Sequence, residues 1–427
     1  MSGTETAVWT GVLASLFLFR WALDSLADLL NLRSLRSPEH RASEIRAEFG
    51  DLLQSERYER TLRYQASVTR FALLRRTVML SALLAFLLGG GGGFQLLTEL
   101  AAGWAGERAM VTALIFAGLL SILSSVLSLP FDLYFTFVLE ERYGFNRTTV
   151  STFIADRVKG MLLSVALGAP VLAAIFWFFE TAGANAWWIS WTVLTVFQLA
   201  VSFIAPVWIF PLFNRFEPLK AGELKESIEA YARSENFQIE GIYTMDGSKR
   251  SSKANAYFAG FGKYKRLVIF DTLISAQTTD ELVAVVAHEV GHFRCGHILK
   301  SITVSIAVSG GLFWVLQSLA TDSRLFDAFR ILSVKAGSAA PLGLVLASIA
   351  LGPVLRLTSF LSSAMSRKFE FEADAFAVQS YKKPRALASA LKKLSVEHLS
   401  NLTPHPLKVA LDYSHPPVLE RVARLKG

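Results

Sequence analysis

The stretch AMVTALIFAGLLSILSSVLSLP, residues 109–130, decides the fold class, because its 22 residues include no charged side chain. A helix of about 20 such residues spans the hydrocarbon of a bilayer. Six more windows of similar character stand at 7–23, 78–97, 160–179, 186–208, 301–320 and 340–355. Arg20 and Arg356 lie at or near the ends of the first and last windows, where long basic side chains reach the interface, so an interfacial helix is the alternative there. Asp24 and Asp28 follow the first window with no small-residue cleavage site, which makes it an uncleaved span. Trp187, Trp188 and Trp208 near span ends read as interface anchors rather than a cofactor box.

Composition agrees with a membrane bundle. Charged residues make up 18% of the 427 and hydrophobic residues 52%, whereas a soluble chain carries about 25% charged. Mean hydropathy is +0.40, so most of the chain meets lipid or lines a bundle. The net charge of +8 does not point to nucleic acid, since no basic reading helix or basic–aromatic patch gathers it. Instead ten arginines fall in residues 32–77, among them Arg33, Arg36, Arg57, Arg60, Arg63, Arg75 and Arg76. The positive-inside rule puts that loop in the cytoplasm. With seven spans, segments 138–159, 209–300 and everything after 356 share its side. Compactness and the lack of a retrieval tail favour a bacterial cytoplasmic membrane over the endoplasmic reticulum. The single cysteine, Cys295, excludes an internal disulfide and any thiolate pair for a metal.

Four regions follow: a five-span part over 1–208, a soluble insert over 209–300, two further spans over 301–355, and a C-terminal portion over 356–427. Within the insert a polar helix is expected near 220–235, then short strands at 238–244, 254–260 and 265–270. Thr279 and Asp280 can open the next helix, which is expected to run almost unbroken into the span at 301–320. The pentaglycine Gly89–Gly93 lacks the Lys-Ser or Lys-Thr of a phosphate loop and reads as a kink or close helix contact within a span.

The chemistry centres on His288-Glu289-Val290-Gly291-His292. On a helix, imidazoles four residues apart share one face and can grip zinc, one ion per chain. Glu289 beside them can take a proton from the attacking water and return it to the leaving amine. Catalytic zinc takes three protein ligands and keeps one position open, so another helix should supply a third. Glu370 and Asp374 share a face, and either could bind zinc while the other accepts a hydrogen bond from a ligand imidazole. Glu372 points about 200° away and reads as a solvated or salt-bridged carboxylate. His297 lies about 180° round from His288 and reads as no ligand. Cys295 reads as a packing thiol.

The chain here resembles the type I CAAX prenyl proteases, membrane zinc enzymes that trim prenylated proteins. The resemblance rests on HEVGH and on EFEADAFA from Glu370, with Glu141-Arg-Tyr-Gly-Phe-Asn146, Pro211-Leu-Phe-Asn-Arg-Phe216, Asn255-Ala256-Tyr257-Phe258, Ser414-His415-Pro416-Pro417 and Glu420-Arg421. It implies His288, His292 and Glu370 as zinc ligands, Glu289 as catalytic base and Asp374 as the group that orients a ligand histidine. It further implies seven helices around a large intramembrane chamber, and an edge strand at Asn255, Ala256, Tyr257 and Phe258 that pairs with substrate. His415 and Arg421 match positions beside the zinc that could hold the substrate carbonyl or developing oxyanion. A turn anchor and a structural ion pair are their plainer readings. Glu372 departs from the family, which often has Gln there.

The expected protein is therefore an all-α polytopic membrane protein with a mostly helical zinc metalloprotease domain, containing a small β-sheet and facing the cytoplasm. It would hydrolyse peptide or protein substrates, prenylated ones by the resemblance. The rivals are a heat-shock-type quality-control protease and a silent membrane scaffold or lipid-binding chamber.

Overall fold

A computed structural model describes residues 3–36, 39–89, 92–106, 108–260, 265–332 and 339–426. Eight described helices precede the first strand: α1 (Gly3–Arg36), α2 (Glu39–Phe49), α3 (Ser55–Leu88), α4 (Gly93–Ala105), α5 (Ala109–Tyr134), α6 (Val150–Leu163), α7 (Ala169–Thr181) and α8 (Ala186–Ile204). Wider π-helical turns follow α5 at Phe135–Glu140, join α6 to α7 at Ser164–Gly168, and extend α8 through Ala205–Ile209. Each lies within a few residues of a proline, Pro130, Pro170 or Pro206, whose missing N–H displaces the helical hydrogen bonds.

Seven described helices are long and apolar enough to cross a membrane: Thr4–Arg36, Ser55–Leu88, Ala109–Glu140, Val150–Thr181, Gly183–Leu212, His297–Leu319 and Ala339–Tyr381. Each overlaps one of the seven windows read from sequence. Large apolar side chains stand outward on them, with Trp208 73% and Leu361 68% exposed, a surface that lipid covers and water would not tolerate. The protein is an integral multi-pass membrane protein. Phe94, Phe116, Phe176, Phe329 and Leu342 fill the core of the bundle.

The window at 78–97 is cut in two, since α3 stops at Leu88 and α4 starts at Gly93. Consecutive glycines each cost about 1 kcal/mol relative to Ala in a helix, which favours the end of α3 there, and the expected close helix contact is present, since a Cβ on Gly93 would lie 2.3 Å from the Phe86 ring. Gly90 and Gly91 lie outside the described residues.

Beyond the fifth span come β1 (Phe216–Pro218), α9 (Glu223–Ser234), β2 (Gly241–Met245), β3 (Ala256–Ala259), β4 (Arg266–Phe270), α10 (Asp271–Ala276) and α11 (Thr279–Arg294). The strands form one sheet of order β1-β2-β4-β3. β2 and β4 run parallel, β1 and β3 antiparallel to their neighbours, and β3 is an edge strand with Tyr257 opposite Val268. Ile228, Ile242, Leu267, Ile269, Val286 and Val290 pack the sheet against α9 and α11.

The chain then returns to the bundle in α12 (His297–Leu319) and α13 (Ser323–Ala328), and continues in α14 (Ala339–Tyr381), α15 (Pro384–Glu397), α16 (Pro406–Asp412) and α17 (Val418–Lys426). The expected continuity from α11 into α12 fails at Cys295–Gly296, where Gly296 adopts φ +67°, the left-handed stop that glycine favours after a helix. By contrast α14 is unbroken over 43 residues, about 65 Å, running through Gly352 and Pro353 and meeting no glycine or proline after them. The sequence boundaries at 300 and 355 fall inside α12 and α14.

Candidate active site

Two helices build the site, α11 and α14. Thr278 caps α11 in a reciprocal arrangement with Glu281, accepting the Glu281 N–H while the Glu281 carboxylate accepts the Thr278 N–H at 2.8 Å. This fixes the helix register from which His288, Glu289 and His292 project. Gly291 lets α14 approach closely: a Cβ there would lie 3.0 Å from Ala373 Cα and 3.0 Å from its carbonyl oxygen. Glu370, one turn before Ala373 on α14, is thereby brought level with the two imidazoles.

His288 Nε2 and His292 Nε2 stand 3.2 Å apart. Glu370 Oε1 lies 3.3 Å from His292 Nε2, and Oε2 lies 3.4 Å from His288 Nε2. Ligands about 2.05 Å from a tetrahedral zinc are separated by about 3.3 Å, so these atoms describe one face of such a shell. Glu370 Oε2 is buried and accepts no hydrogen bond, although Arg421 Nη1 lies 3.2 Å away. Three carboxylates, Glu289, Glu370 and Asp374, face a single guanidinium, Arg421. An orphaned carboxylate oxygen, two converging imidazoles and surplus negative charge fit a divalent cation.

The surroundings sharpen this. His288 Nδ1 donates to Asp374 Oδ1 at 2.8 Å, and Arg421 grips the same carboxylate with two hydrogen bonds of 2.6 and 2.8 Å. Burial works against a charge on His288, yet Asp374 and Glu370 outweigh it and raise the imidazole to about 9. The pocket thus favours a positive charge at that ring. Glu289 lines the cavity and is otherwise enclosed by protein; this enclosure raises its carboxyl above the usual range, against the pull of the two imidazoles. His415 reaches in from the loop before α17, its Nε2 3.3 Å from Glu370 Oε1, with most of its ring still exposed.

A cavity of about 520 Å³ opens over these groups, lined by Glu289, Glu370, His415 and Arg421 and also by Asn255 and Ala256. The structure therefore brings the start of the edge strand to the same cavity as His288 and Glu370. Asn255 precedes β3, whereas Tyr257 and Phe258 lie within it, Phe258 packing on Phe237 and Phe293. Two further features escaped sequence reasoning. His398 Nε2 accepts the Ala254 N–H at 2.9 Å just ahead of β3. His297 turns back to His292, and Glu372 contacts His297 as well as two lysines. His398 lies 144 residues from Ala254, so no local pattern links them. The return of His297 depends on the left-handed Gly296, and that glycine was the available signal.

A family model described as "CAAX prenyl protease N-terminal, five membrane helices" matches residues 36–215, and one described as "Peptidase family M48" matches residues 218–427. An Arabidopsis thaliana protein named CAAX prenyl protease 1 homolog is 41% identical over 306 residues, 71% of each chain. A Homo sapiens protein of the same name is 31% identical over 460 residues, covering 97% of this chain and 95% of that one. The crystal structure of Ste24p from S. mikatae superposes with a TM-score of 0.88 at 31% identity over 98% of both chains.

Proposed function

From the premise that this chain belongs to the CAAX prenyl protease family of M48 peptidases, we propose that it is a zinc-dependent membrane endopeptidase acting through His288, His292, Glu370 and Glu289. The observation that carries the reading is the convergence of His288 Nε2, His292 Nε2 and the Glu370 carboxylate at separations of 3.2 to 3.4 Å. When bound there, zinc supplies the Lewis acidity that activates water and polarises the scissile carbonyl.

The chain's own residues do the rest. Glu289, enclosed and with its pKa raised, accepts the proton of the attacking water and delivers it to the departing amine. Asp374 accepts the His288 Nδ1 proton and so directs Nε2 into the cluster, while Arg421 balances the Asp374 charge. Arg421 Nη1 and His415 Nε2, both near Glu370, stabilise the negative charge that develops on the substrate carbonyl oxygen. The free side of β3 aligns an extended peptide by backbone hydrogen bonds, with Asn255, Ala256, Tyr257 and Phe258 as the binding strand.

Prenylated C-terminal peptides are the proposed substrates, a reading supported by the relatives' name, CAAX prenyl protease 1 homolog. The metalloprotease portion is assigned to the cytoplasmic side with the arginine-rich segment. Contacts between the two support this: Gln65 donates to the Leu399 carbonyl at 2.6 Å, and Lys392 pairs with Glu48 at 2.5 Å.

Cleavage of a farnesylated peptide by purified protein, with zinc measured in the same samples, tests the reading. Glu289→Gln should lower cleavage by at least about 100-fold and leave zinc in place. Undiminished cleavage by that variant would overturn the mechanism.

A further inference from the structure

His288 and His292 are supported differently. Asp374 receives the Nδ1 proton of His288 directly. The Nδ1 atom of His292 lies 3.0 Å from Nδ1 of His297, whose Nε2 lies 2.9 Å from Glu372 Oε2. His297 is only 3% exposed. Its ring stacks on Phe369 with centroids 4.2 Å apart and planes 9° from parallel, so it cannot swing away without losing that contact. Glu372 remains in touch with solvent, with Lys368 and Lys300 at 3.7 and 3.9 Å.

One arrangement of protons satisfies every contact. A neutral imidazole that binds metal through Nε2 carries its proton on Nδ1, so His292 donates there. His297 can accept on Nδ1 only if its own proton sits on Nε2. That proton then points at Glu372, an ionised carboxylate with acceptor capacity to spare. We propose that His297 and Glu372 are positioning residues that fix the tautomer and orientation of His292, and thereby set how tightly the site holds its metal. This rests on the reading of His292 as a ligand. It reassigns two residues that looked like bystanders from helical spacing alone.

The same corner has a rival use. Ligand atoms of Cys295, His297 and Glu372 also lie within 4.8 Å of one another, a grouping that could hold a second cation. Both ring nitrogens of His297 are committed in the relay, so the two uses are exclusive.

The test is zinc affinity of the full-length protein in detergent, by competition with a chromophoric chelator, alongside kcat and KM for a peptide at saturating zinc. His297→Phe keeps the stacked ring and removes both hydrogen bonds; it should weaken zinc binding about 10- to 100-fold and leave KM unchanged. His297→Asn restores an acceptor near the Nδ1 position and should recover most of the loss. Should the Phe variant fail to fold, Glu372→Ala, on a partly exposed side chain, reads the same chain of contacts and should weaken zinc about tenfold. Wild-type affinity in His297→Phe or, where that variant does not fold, in Glu372→Ala overturns the proposal, as does binding of two zinc ions per chain. His292→Ala is the control on the parent reading: if it keeps wild-type zinc affinity, the ligand assignment fails, independently of the relay.

Discussion

Two clusters of buried charge differ in their balance, and the difference separates a structural joint from a site that needs a cation. At the joint, Asp24 and Asp28 of α1 and Asp412 of α16 meet Arg76 of α3, Arg356 of α14 and Lys408 of α16. Three carboxylates face three cations, with Arg20 farther out at 3.9 Å from Asp24. In the candidate active site Glu289, Glu370 and Asp374 face only Arg421. Removing ions from water is costly unless each finds a partner. The joint is therefore complete as it stands and ties the C-terminal portion to the bundle, while the site, with its imidazoles neutral as metal ligation requires, is two positive charges short, the charge of a divalent cation.

The largest effect that bears on this contrast comes from the joint. Asp28 is fully buried and holds Arg76 at 2.7 Å and Lys408 at 2.5 Å. Asp28→Asn leaves both cations under-compensated and should cost about 3 kcal/mol, read as a lower melting temperature in detergent with zinc content unchanged. A wild-type melting curve would break the comparison, because the joint would then contribute nothing that water could not.

A smaller effect sharpens it from the uncharged side. His398 is held without a carboxylate partner, and burial, aided by Lys253, lowers its pKa to about 4. The unfolded chain takes up this proton near pH 6.5 and the folded chain only near 4, so the contribution is complete above 6.5 and fades as pH falls towards 4. About 2 kcal/mol should be lost between pH 7 and pH 5, and His398→Gln, which keeps an acceptor for the Ala254 N–H, should flatten that part of the profile. Identical pH profiles for the two proteins would remove His398 from the account.

Much of the architecture was legible because lipid allows few solutions: a window such as 109–130 has no plausible state other than a spanning helix. The HEVGH pentapeptide was legible for a similar reason, since the four-residue spacing of its imidazoles fixes their common face. Glu370 and Asp374 share a face by the same periodicity, but spacing could not say which would lie nearer the imidazoles. That follows from the approach of α14 to α11 at Gly291, a tertiary contact between residues 82 positions apart in the sequence. The joint was hidden more completely, because Asp28 and Lys408 are separated by 380 residues and each alone resembles an ordinary surface charge. The glycine run does bring α3 and α4 into close contact, with a Cβ on Gly93 only 2.3 Å from the Phe86 ring, but apolar periodicity alone shows neither the helix end at Leu88 nor the one at Gly296.

The most direct test counts metal in Glu370→Gln and Asp28→Asn purified side by side with the unmodified protein. The account predicts one zinc per chain in the unmodified protein and in Asp28→Asn, and a large loss of zinc in Glu370→Gln. A full complement of zinc in Glu370→Gln, held with unmodified affinity, would contradict it.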